Sequence, residues 1–134
     1  MNKFEGQIEE VETHGHLSLV SVAVSKELLI KAVVIETPET AQYLKSGTRI
    51  AVLFKETEVI LASLDTSQIS IQNRMEAEVQ EIEAGKLLSR IQLRTGVGEL
   101  AAVVPTESLS VLGLSTGKQV LALIKTNEVM LSEI

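Results

Sequence analysis

Ile50 to Ser63, IAVLFKETEVILAS, and Val120 to Ser132, VLALIKTNEVMLS, fix the organisation of this chain. Each is an apolar strand that runs into a lysine, takes a short polar step and resumes as a second apolar strand. Setting Lys55 over Lys125 aligns Glu58 with Glu128, Val59 with Val129 and Leu61 with Leu131, an offset of 70. The chain is one module written twice.

Beyond these stretches the copies agree almost from end to end. Asn2 to Glu12 alternates Phe4, Gly6 and Ile8 with polar residues, and Asn73 to Glu83 resembles it in register at an offset of 71. Both read as half-buried strands. Gly85 over Gly15, Leu87 over Leu17, Ala102-Val103-Val104 over Ala32-Val33-Val34 and Gly117 over Gly47 return to 70, which places a one-residue change in the first hairpin. His16 to Val24 is a second strand, and Leu28 to Ile35 a third, apolar enough to be covered on both faces. Thr37-Pro38 then predicts a short helix through Leu44, before the fourth and fifth strands of the opening stretch. Polar Asp65 to Gln68 is a linker. The expectation is all-β: two tandem OB-like five-stranded barrels, each with one short helix, over residues 1–64 and 70–134. Units this small bury little surface alone, so packing between them or between chains must carry much of the stability.

Composition bounds the function. Aromatics are 2% of a chain that is 45% apolar, so the core is built from Val, Ile, Leu and Ala. A net charge of −6 repels phosphate backbones and anionic lipid, and Phe4, Tyr43 and Phe54 are too few to stack bases; neither nucleic acid nor membrane is expected as a partner. There is no cysteine, no apolar leader at the N-terminus and no long apolar run, which reads as cytoplasmic. No P-loop, dinucleotide fingerprint, nucleophile elbow or zinc motif is present, and the reading is not an enzyme. Gly96-Val97-Gly98 sits where a hairpin turn is needed. His14 and His16 lack a third ligand and the strand carboxylates form a wet face, so no metal cation is expected.

The two lysine steps carry what chemistry there is. Lys55-Glu56-Thr57 and Lys125-Thr126-Asn127 set a cation beside hydroxyl or amide donors at a break between strands. Such donors can hold a compact tetrahedral oxyanion without a metal. They are equally the residues of a strand end, a lysine stem on apolar surface with its ammonium in water.

Ser70-Ile71-Gln72-Asn73-Arg74-Met75, Ala102-Val103-Val104, Leu112-Gly113-Leu114 with Gly117, and Ala122-Leu123-Ile124-Lys125 followed by Glu128-Val129-Met130-Leu131 resemble the molybdenum-pterin-binding (Mop or TOBE) domain of the molbindins. The resemblance covers nearly the whole chain and matches the tandem, di-domain form. It implies OB-like barrels that exchange strands, a homo-oligomer with the ligand at interfaces, and molybdate or tungstate as the bound oxyanion, for storage, homeostasis or sensing. Carried over by position, the oxyanion ligands are Ser70, Gln72, Lys125, Thr126 and Asn127 in the second copy and Lys55 and Thr57 in the first. The family's arginine falls on Gln72 and Met1, and its helix-leading threonine on Pro105 and Ile35. The alternative is a regulatory or assembly domain that makes protein contacts, with the oxyanion site weakened or lost.

Overall fold

The computed structural model describes residues 1–134 and contains ten strands. The first half holds β1 (Asn2–His14), β2 (Leu17–Ala23), β3 (Leu29–Val34), β4 (Arg49–Phe54) and β5 (Ile60–Ala62). The second holds β6 (Asn73–Glu83), β7 (Leu88–Thr95), β8 (Gly98–Pro105), the single-turn helix α1 (Ser108–Val111), β9 (Gln119–Ile124) and β10 (Met130–Glu133). All pairings are antiparallel.

The order of strands is β10-β4-β1-β2-β3 in one sheet and β5-β9-β6-β7-β8 in the other. Each half therefore gives its last strand away. Met130 to Glu133 pair with Leu53 to Ile50, and Ile60 to Ala62 pair with Leu123 to Leu121. The lysine steps are the crossing points: each is one turn of 3-10 helix, Glu56–Glu58 and Thr126–Glu128. The polar step predicts a bend there, and the turn supplies it. A single hydrophobic core of 25 buried residues runs through both halves, from Phe4 and Ile8 to Ile124 and Val129. Exchange of strands makes the two OB-like units one packing problem.

Local physics follows the duplicated pattern. Along β1 the residues Asn2, Phe4, Gly6 and Ile8 are buried and those between them exposed. A Cβ on Gly6 would lie 2.5 Å from the Ala23 carbonyl oxygen, so only glycine lets β1 and the end of β2 close up. One residue bulges out of each long strand, between Ile8 and Glu10 and between Val79 and Glu81. Gly47 and Gly117, at φ 96° and 92°, donate their N–H groups to the carbonyls of Ile8 and Val79 there. Gly96-Val97 is the two-residue turn between Thr95 and Gly98, as its spacing predicts.

Three details differ from the sequence reading. Residues Thr37 to Leu44 form hydrogen-bonded turns, with Thr40 and Ala41 both donating to the Thr37 carbonyl, and no helix; the Thr40 hydroxyl binds that same carbonyl and competes with the helical ladder. Strand β3 lies at a sheet edge, so Ile30 and Ala32 are buried while Leu29 and Ile35 are exposed. The one-residue change is in the second hairpin of each unit. Glu12 pairs with Leu19 as Glu83 pairs with Arg90, which keeps the offset of 71 through β7. Ala23 then pairs with Leu29 and Arg94 with Glu99, one residue fewer across the turn. Thus Leu19 corresponds to Arg90.

Candidate functional site

The crossing points bring side chains of both halves together. The 3-10 turn after Lys125 packs on β3, and the turn after Lys55 packs on β8. At the start of β6, Asn73 fixes the chain against β3: its Oδ1 accepts from the Lys31 N–H at 2.8 Å and its Nδ2 donates to the Lys31 carbonyl at 2.9 Å. Asn2 repeats this on Ala101, at 2.8 and 2.9 Å. Each amide replaces a strand partner for the other half's edge, and both are buried.

With Asn73 anchored, the preceding residues line a groove at the seam. It has a volume of about 320 Å³ and is lined by Ser70, Ile71 and Gln72, by Lys125 and Thr126, and by Leu19 and Val33 of the first half. Four of the seven candidate ligands thus meet in one place. Lys125 is exposed and takes part in none of the chain's ion pairs, so its charge is free for a ligand. The turn it precedes is too short to satisfy its own first N–H groups. Asn127 is exposed and outside the groove lining. Lys55 and Thr57 lie at the other crossing, where Thr57 borders a smaller space of about 240 Å³ with Val103, Val104 and Pro105.

Nearby groups that could substitute for the family's arginine and threonine are committed elsewhere. The Arg74 guanidinium donates to the carbonyls of Thr66, Ser67, Ile69 and Ile71, at 2.9 to 3.2 Å, and so shapes the linker. Another groove, about 310 Å³, carries Glu27 and Glu76 beside Arg74 and is a poor place for an anion. The Thr106 hydroxyl donates to the Gly85 carbonyl and contacts the Ser89 hydroxyl at 2.8 Å, closing the turn between β6 and β7.

The first crossing differs in charge. Arg90 meets the Glu56 carboxylate at 3.1 Å through Nε and 3.5 Å through Nη2. The hydrogen bond from Arg90 is the main reason the Glu56 carboxyl titrates below the ordinary carboxylate range. A carboxyl with a lower value folded than unfolded adds stability at neutral pH and loses that contribution as pH falls through the lowered value. The pair is partly exposed and the effect small. Urea midpoints of the native chain and Arg90→Leu should therefore differ slightly at neutral pH and converge in acid.

Leu19 and Val33, which line the groove, and the Asn2 and Asn73 clamps are positions that the sequence reading passes over. The signal for the clamps is there: both copies keep the asparagine at the head of the long strand. The groove's first-half wall depends on strand exchange, which no local pattern records.

Fold and site together define a class, a strand-exchanged pair of OB-like modules with a small groove of mixed polar and apolar lining at their seam. The TOBE domain family matches residues 1–61 and again residues 69–131. The chain belongs to that family, as a tandem Mop/TOBE di-domain. No curated protein matches it by sequence. Among solved structures it is similar to the cytoplasmic molybdate-binding protein ModG, solved with molybdate bound, at a TM-score of 0.92 and 25% identity over 99% of this chain and 96% of that one. A molybdate binding protein from Sporomusa ovata is 36% identical over 44% of this chain and 88% of its own, with a TM-score of 0.43. No helix here is long and apolar enough to cross a membrane.

Proposed function

We propose that this chain is a cytoplasmic, non-enzymatic oxyanion-binding protein for molybdate or tungstate, serving storage, homeostasis or sensing. The observation that carries the reading is the convergence of Ser70, Gln72, Lys125 and Thr126 on one groove at the seam. The molybdate-bound ModG structure, similar over nearly the whole chain, supports the ligand class. No bond is made or broken. A hydroxyl, an amide, an ammonium and turn N–H groups would replace part of the anion's hydration. Exposed Leu87, Leu88, Ile35 and Val111 favour assembly into a homo-oligomer.

Calorimetric titration with molybdate, against sulfate and phosphate, tests this. Saturable molybdate binding is expected, and Lys125→Ala should weaken it by about 1.5–3 kcal/mol, roughly ten- to a hundredfold. Absence of heat with any oxyanion would leave the second reading, a regulatory or assembly domain. That reading is favoured by Gln72, a neutral side chain at the family's arginine position.

A further inference from the structure

The two crossings are related by the repeat, yet only the second has a groove lined by its lysine. Strand register sets Thr126 over Glu56, Leu19 over Arg90 and Val33 over Val103. Where the second crossing has a hydroxyl facing an aliphatic side chain, the first has a carboxylate facing a guanidinium. Both Glu56 oxygens are engaged, Oε1 at 3.1 Å from Arg90 Nε, and Oε2 at 3.5 Å from Nη2 and 3.6 Å from the Met1 amino nitrogen. A carboxylate held in a fork by a guanidinium reproduces the contact that an oxyanion makes with arginine. The contact joins residues 34 apart, on the crossing turn of one half and a strand of the other.

From this geometry we propose that Glu56 is a built-in anion that closes the first crossing, so that the native chain takes up its oxyanion at Lys125 and not at Lys55. The proposal rests on the oxyanion reading for its ligand class. A dianion arriving at Lys55 must either displace Glu56 from Arg90 or sit beside a carboxylate, and both are opposed by like charge. Removing the carboxylate reverses the balance. Arg90, still hydrogen-bonded to Gln92 at 3.2 Å, then joins Lys55 and the Met1 ammonium as cations without the carboxylate, where the second crossing has Lys125 alone. Glu81 and Glu83 on β6 weaken the field at Arg90 without contacting it. Glu56→Thr copies the residue that the second half carries at this place.

Native mass spectrometry with molybdate, counting anions per chain, is the test. Glu56→Thr is expected to carry one more molybdate per chain than the native protein, and the gain should vanish in Glu56→Thr/Lys55→Ala. Glu56→Gln, nearly isosteric, should show the same gain if the threonine variant folds poorly. Equal loading of the native chain and both Glu56 variants overturns the proposal. An empty native chain with a loaded Glu56→Thr upholds the closure and overturns the reading of the native protein as a binder, whereas a loaded native chain without the gain does the opposite. No loading in any of these proteins overturns both.

Discussion

Asn73→Ala is expected to lower the stability of the chain by about 2–4 kcal/mol, because it strips partners from two backbone groups at once. The Asn73 side chain is almost wholly buried, at 1% exposure, and serves both the N–H and the carbonyl of Lys31 at the open edge of β3. No other strand reaches that edge. Alanine leaves both groups unpaired, and Asn73→Asp, which keeps the acceptor but sets a buried carboxylate oxygen against the Lys31 carbonyl, should cost at least as much. The substitution also reaches the groove, since Asn73 anchors to Lys31 the chain that leads from Ser70 to Gln72 along the groove wall. Urea unfolding measures the first effect. Molybdate titration of the folded variant measures the second, which should be a weakened affinity at unchanged stoichiometry.

Phe54→Ala should cost more, about 3–5 kcal/mol, the range for removing a buried aromatic ring. Phe54 ends β4 with no exposed surface, and its ring lies 6.0 Å from that of Phe4 at 45°. These are the chain's two phenylalanines. Phe4 in turn lies under Gly98, where a Cβ would be 3.3 Å from its ring, so the pair is packed against the start of β8 in the other half. A cavity at Phe54 is therefore shared. Unfolding followed by probes in either half should shift together, as one transition to a lower midpoint, whereas independently folding units would separate.

Much of the fold is legible in the residues themselves. The repeat exposes the strands, because apolar alternation and the lysine steps recur in both copies, and the family resemblance at residues such as Ser70 and Lys125 points to the seam. What stays hidden has physical reasons. Ile60 to Ala62 and Met130 to Ser132 are so alike that either could complete either sheet; the resemblance alone implies exchange, and only the pairing shows which strand goes where. Glycine and leucine at Gly15, Leu17, Gly85 and Leu87 suggest an offset of 70 through the first hairpin, but loop glycines are free to slide and paired strands are not. That one-residue slip conceals the match between Leu19 and Arg90, and with it the meaning of Glu56. Helix signals at Thr37 and Pro38 are real but local, and the Thr40 hydroxyl diverts them into turns.

On the proposed reading, one crossing holds the oxyanion and the other is closed by the chain itself. Molybdenum is an anomalous scatterer, so diffraction from molybdate-soaked crystals, recorded at its absorption edge, locates the anion directly. A peak is expected in the groove between Ser70, Gln72, Lys125 and Thr126, and none between Lys55, Glu56 and Arg90. A peak at Lys55 and Arg90, or no peak at either crossing, would contradict that reading.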